Sequence, residues 1–288
     1  MSSTLPADVK HGIDFSSVSV CTVPLSGSLA VRVYSDTRPR NWKIASLQKG
    51  LVFVYKDEEV VGEGTGFGFP VLVYSNETYF SGSARVYLSQ KGDCASVRKE
   101  FFMNRVARNR FRNVRLENRK ARAVLGHMAE MYQMHRRLRF LRLKGLFKEM
   151  DVGTSFVETQ LVGKVVITYR VGIGRVLVKV DLSLVKREGL EKMFLLNEQG
   201  SGVFRRYVDS RGTELVDGRI GAWEDVDAEW ACLMDVEGRF GFRLRQTPGG
   251  LLRRGREYLR GSLDWVGLDY EFGLKKTALQ YEIEILGV

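Results

Sequence analysis

The residues of this 288-residue chain whose types and spacing could do chemistry are carboxylic acids set beside aromatic rings. Glu63 stands alone in the glycine-rich stretch Val60-Val61-Gly62-Glu63-Gly64-Thr65-Gly66-Phe67-Gly68. Trp223-Glu224, Asp264-Trp265, Asp269 and Glu271 gather in the last quarter. Two carboxyls flanking a glycosidic bond can act as acid and as base or nucleophile, and their separation sets the stereochemical outcome. Aromatic faces suit the apolar side of a sugar ring, and acids suit its hydroxyls. On this reading Glu63 and Glu224 are the catalytic candidates, and Trp223, Trp265 and Asp269 are the substrate-binding ones. The same residues serve a purely structural purpose equally well, with the tryptophans in a core and the acids paired to arginines.

Other chemistries are poorly served. The glycine row lacks the spacing of nucleotide-binding loops, and no helical pattern follows it. The histidines are His11, in a polar terminus, and His127 and His135, eight apart without the four-residue spacing and glutamate of a zinc helix. Met128, Met131 and Met134 surround the latter two, which suits packing. Cys21, Cys94 and Cys232 are odd in number and widely spaced, which argues against a disulfide framework and for a reducing compartment. No cofactor and no metal are expected. No apolar run approaches the ~18 residues of a membrane span, and no signal peptide is visible. These features lead us to expect a soluble, cytoplasmic protein.

Charge is informative for where it sits. The chain holds 45 Lys and Arg against 34 Asp and Glu, a net +11. Between Arg98 and Glu149 alone, 16 Lys and Arg face four Glu, so one segment carries the whole excess. Its arginines, Arg136, Arg137 and Arg139 among them, interleave with Phe101, Phe102, Phe111, Tyr132, Phe140 and Phe147. Such a pattern can neutralise phosphates and stack on bases. It can also meet an acidic polysaccharide or an anionic membrane. A solvated helix face is the bland alternative. A non-enzymatic binder of nucleic acid or another polyanion through residues 98–148 is therefore a second functional class. The first remains a carbohydrate-binding or carbohydrate-processing protein, with an acidic sugar preferred.

The elements that must position these residues are mostly strands. Short runs rich in Val, Tyr and Phe, separated by polar turns, fill the first ninety residues. Glu59–Gly68 reads as a strand with Gly62, Gly64, Gly66 and Gly68 on one face, implying close approach by a ring, a backbone or a ligand. In Trp265–Glu271, alternation puts Trp265, Gly267 and Asp269 on one face and Val266, Leu268 and Tyr270 on the other. Ala278–Leu286 alternates as cleanly. Between about 117 and 150 the period becomes helical, with apolar residues at three-and-four spacing from Ala121 to Leu141. The expected architecture is mainly β, a single large antiparallel sandwich over residues 1–288, with a basic helical insertion at about 112–150.

Long strands, the closing Tyr281-Glu282-Ile283-Glu284-Ile285, and Gly221-Ala222-Trp223-Glu224, Arg256-Glu257-Tyr258, Leu263-Asp264-Trp265 and Tyr270-Glu271 together resemble the galactose mutarotase-like supersandwich. That resemblance implies a sugar-binding concave sheet, as in sugar epimerases, polysaccharide lyases and some glycosidases. The family's epimerases use a histidine acid and a glutamate base on sheet strands. No histidine of this chain occupies such a strand, so the resemblance does not extend to that reaction.

Overall fold

The computed structural model describes residues 20–34, 49–62, 64–75, 77–91, 94–109, 155–259, 263–273 and 277–287. The described residues form two antiparallel sheets. A four-stranded meander comprises β1 (Val20–Ser26), β2 (Leu29–Tyr34), β3 (Val52–Tyr55) and β4 (Glu58–Glu59). The larger sheet has 14 strands. Its first half comprises β5 (Gly66–Tyr74), β6 (Glu77–Lys91), β7 (Cys94–Asn109), β8 (Ser155–Gly172) and β9 (Arg175–Asp181). There follow β10 (Leu190–Gly200), β11 (Phe204–Asp209), β12 (Glu214–Val216), β13 (Glu224–Asp225), β14 (Trp230–Asp235) and β15 (Phe240–Arg245). The chain closes with β16 (Gly250–Leu259), β17 (Leu263–Gly273) and β18 (Ala278–Gly287). Across the sheet the order is β12-β11-β14-β15-β18-β9-β8-β7-β6-β5-β10-β17-β16-β13. The mainly β sandwich expected from the sequence is what forms. The expected helical insertion lies outside the described residues.

Aromatic packing joins the two sheets. Phe53 of β3 lies against Phe67 of β5, Phe204 of β11 and Phe240 of β15, with ring centroids 5.6, 5.8 and 6.1 Å apart. Each of these four rings is buried, a contribution of about 1.5–3 kcal/mol apiece. The strand period of two sorts the rest. On β17, Val266, Leu268, Tyr270 and Phe272 are buried in this core, whereas Trp265, Gly267, Asp269 and Glu271 take the opposite, outer face. On β18, Tyr281, Ile283 and Ile285 are buried and Gln280 and Glu282 exposed. Both alternations match the sequence.

The glycine row needs correction. Glu59 ends β4 and β5 begins only at Gly66, so Gly62 and Gly64 lie in a turn and do not share a strand face with Gly66 and Gly68. Close approach is nevertheless what the glycines allow. A Cβ on Gly64 would stand 2.5 Å from the Glu198 carbonyl oxygen, and one on Gly68 would stand 3.0 Å from the Tyr169 ring. Gly68 also has φ +71°, a conformation costly for any residue with a side chain. Pro70 sits two residues further along β5 without breaking it. β5 pairs with β6 only over Leu72–Tyr74, so on that side Pro70 faces no ladder that would miss its N–H.

Candidate functional site

The outer face of β10, β17 and β16 carries a group of acids beneath a tryptophan. Gly255 of β16 pairs with Gly267 of β17, so two positions without side chains lie side by side. Trp223, from the segment leading into β13, lies flat in the dip. Cβ atoms added at Gly255 and Gly267 would stand 2.5 and 2.9 Å from its ring. Its Nε1 donates to Glu257 Oε1 at 2.7 Å, which fixes the ring's rotation. Trp223 remains partly exposed. The segment carrying it is tied to β16 after the tryptophan by the pairing of Glu224 with Arg254, and before it by two further bonds. The Arg256 N–H donates to the Gly221 carbonyl at 2.8 Å, and the Arg254 guanidinium bonds the Ile220 carbonyl.

Below the tryptophan the ladder between β10 and β17 opens. Pairing runs over Lys192–Leu195 and resumes at Glu198–Gly200, leaving Leu196 and Asn197 unpaired with β17 backbone. Side chains fill the gap. The Asn197 N–H donates to Asp269 Oδ1 at 2.7 Å. The Asn197 amide points to the core, accepting from Gly68 N–H and Tyr281 O–H at 3.0 Å each. It donates to the Leu268 and Leu195 carbonyls at 3.0 and 3.3 Å. Glu198 returns to the outer face, where its Oε2 accepts the Thr65 N–H at 3.3 Å.

Gly267 is where the acids meet: a Cβ there would be 3.0 Å from Asp269 Oδ1 and 3.2 Å from Glu198 Cγ. Asp269 is 3% and Glu198 7% exposed. Burial first, and then the nearby Glu198 charge, push the Asp269 carboxyl well above the usual carboxylate range, with Glu257 adding to the effect. The Asn197 N–H and the charge of Arg253 pull the other way and do not prevail. Asp269 thus holds its proton where an ordinary aspartate has lost it. The pair is a carboxylic acid beside a second carboxyl.

The sequence candidates are only partly brought together. Trp223 and Asp269 flank Gly267, and Trp265 shares their face of β17, partly buried, with no hydrogen bond to its indole N–H among the described residues. Glu224 neighbours Trp223 in sequence but pairs with Arg254 at 2.7 Å on the exposed rim. Asp264 pairs with Arg256 at 2.8 Å, and Glu271 with Lys192 and Arg253 at 3.1 and 3.4 Å. Glu63 lies outside the described residues, although Gly62 and Gly64 pack on the backbone of Gly200 and Glu198. Arg136, Arg137 and Arg139 also lie outside them. Of the described part of the basic segment, Lys99 is no surface cation. It is wholly buried and its Nζ donates to the Lys49 carbonyl at 2.5 Å. Glu198, Glu257 and Asn197 were not among the sequence candidates.

No group of acids, histidines or cysteines suited to a metal ion occurs among the described residues, and none of their helices is long and apolar enough to cross a membrane. No family model and no curated protein matches the chain. Among solved structures it is similar to the Slr1438 protein from Synechocystis sp. PCC 6803, with a TM-score of 0.37 and 7% identity. The match covers 97% of this chain and 100% of that one.

Proposed function

We propose that the protein binds carbohydrate on the outer face of β10, β17, β16 and β13, with Trp223 as the platform for a sugar ring. The observation that carries this reading is the seating of Trp223. Its inner face rests on Gly255 and Gly267, its indole N–H is held by Glu257, and the residue stays partly exposed. A flat ring that is already immobile offers apolar area at little entropic cost. Asp225 and Arg253 lie on the same face of the sheet, with groups that can bond hydroxyls. The resemblance of the C-terminal third to sugar-active proteins points to the same ligand class.

Burial and the neighbouring Glu198 raise the Asp269 carboxyl well above the usual carboxylate range, and a raised acid beside a second carboxyl is a pairing that glycoside chemistry uses. Their burial and their bonds to Asn197 and Thr65 make them supports of the platform rather than groups that flank a substrate bond. Binding is therefore the activity this geometry supports best. The test is titration with neutral oligosaccharides of glucose, mannose and galactose, followed by tryptophan fluorescence and calorimetry. We expect saturable binding of at least one, reduced at least tenfold in Trp223→Ala with cooperative unfolding retained. Failure of the whole panel, or binding indifferent to Trp223, would overturn the reading.

A further inference from the structure

A second surface lies on the same outer side of the large sheet, over β6, β7, β8 and β9. Register places Tyr87, Arg98, Thr168 and Lys179 in one row across these strands. The next row holds Ser89, Ser96, Arg170 and Leu177, continued by Glu282 of β18. Arg85 and Lys164 flank the first row, and Arg175 follows the second. Arg98 and Lys164 share Glu100, at 2.8 and 3.3 Å. Arg85, Arg170, Arg175 and Lys179 are exposed and form no ion pair among the described residues. With Arg98 and Lys164 they outnumber the acids of this face, Glu100 and, along the β18 edge, Glu282 and Glu284, and the positive excess is a field for a polyanion.

The kind of polyanion follows from what accompanies the charges. The rings on this face are occupied by the protein's own cations. Arg98 lies over Tyr87 at 5.4 Å, and Arg85 and Lys164 lie over Phe102 at 5.7 and 5.5 Å. Neither of these two rings is left bare for the bases of a single-stranded nucleic acid to stack on. Between Arg170 and Arg175 runs an open groove of about 430 Å³, bordered by Ser89, Ser96, Leu177 and Glu282. The groove wall also holds Glu282, which accepts hydrogen bonds from hydroxyls, and two serines, which accept and donate them, so its polar lining suits a sugar's hydroxyls. Guanidinium forks match carboxylates in a bidentate manner. We propose that this face binds an acidic polysaccharide, with a uronate carboxyl between Arg170 and Arg175 and its sugar hydroxyls toward Glu282 and the serines.

The proposal is independent of the Trp223 platform, and the experiment separates the two. Hexagalacturonate is titrated into the full chain, with cellohexaose and a twelve-residue oligothymidylate in parallel. Arg170→Glu/Arg175→Glu is the test variant, chosen because both side chains are exposed, with the melting temperature as its folding check. Arg170→Gln/Arg175→Gln is the milder second variant. We expect hexagalacturonate to bind the wild type, to weaken with salt, and to lose at least tenfold in affinity in both double variants. Trp223→Ala is expected to leave that binding unchanged. The proposal fails if hexagalacturonate does not bind, or if the double variants bind it as the wild type does. It also fails if the oligothymidylate binds as tightly and is lost in the same variants, since the face would then read phosphate.

Discussion

The Asn197 N–H donates to Asp269 Oδ1 at 2.7 Å, across two strands whose backbone ladder is open at that point. A side chain thus does what a strand carbonyl would otherwise do, and it frees Asn197 to turn its amide into the core. Both amide atoms are fully used: Oδ1 accepts from Gly68 and Tyr281, and Nδ2 donates to Leu195 and Leu268. Asn197→Leu would leave two donors, Gly68 N–H and Tyr281 O–H, and two acceptors, the Leu195 and Leu268 carbonyls, without this partner. Each such group costs about 1–3 kcal/mol, so a loss of at least about 4 kcal/mol is expected. Urea denaturation checks it, as a lower midpoint with an unchanged slope.

Asp269→Asn keeps an acceptor for the Asn197 N–H but removes the carboxyl. In the wild type that group's pKa is raised by burial and by Glu198. The folded protein therefore holds a proton that the unfolded chain releases above the ordinary carboxyl range. The resulting stability is complete at low pH and is lost as pH rises through the raised value. Melting temperatures from pH 4 to 7 are expected to climb in the variant relative to the wild type as pH increases. A difference that stays constant with pH would contradict a protonated Asp269.

These two residues also show how far the sequence could be read. Alternation along β17 let the sequence put Asp269 on one face with Trp265 and Gly267, opposite Val266, Leu268 and Tyr270, and the structure shows the latter three in the core. Asn197 and Glu198 were not among the candidates, because β10 ends in Asn-Glu-Gln, a polar run that looks like a loop. Its burial depends on partners far along the chain: Glu198 bonds Thr65, 133 residues away, and Asn197 bonds Gly68, 129 residues away. The glycine row misled for a related reason. Spacing of two is shared by strands and by turns with glycines at positive φ, and only the packing against Glu198 and Gly200 distinguishes them. Lys99 was counted with a basic surface since charge alone does not reveal that it shares a strand face with Val97 and Phe101, both buried.

That burial has a consequence of its own. Lys99 is completely enclosed, and desolvation lowers its pKa from 10.5 to about 7. Between these values the unfolded chain binds a proton that the folded protein does not, so stability rises with pH. The slope approaches 1.4 kcal/mol per pH unit, or roughly 2–3 kcal/mol between pH 7 and 9. Lys99→Met should flatten that rise. Its loss of the bond to the Lys49 carbonyl shifts stability by an amount independent of pH, so the slope, read from urea midpoints at pH 7, 8 and 9, isolates the titration. An equal slope in both proteins would mean that Lys99 reaches solvent.

Trp223 can be displaced without touching a polar group. Gly255→Ala places a methyl 2.5 Å from the indole ring, and the ring is the part able to move, since Gly255 lies on a hydrogen-bonded strand. Lifting it breaks the bond from Nε1 to Glu257 and exposes both faces. Overpacking of this kind costs about 1–3 kcal/mol. Tryptophan emission is expected to shift to the red, and oligosaccharide binding to fall as in Trp223→Ala. Gly202→Ala is the control: nothing lies within 4 Å of its added methyl and its φ is not positive, so stability should hold or rise slightly. If Gly255→Ala leaves emission and stability as they were, Trp223 does not rest on β16 in solution, and the platform has no floor.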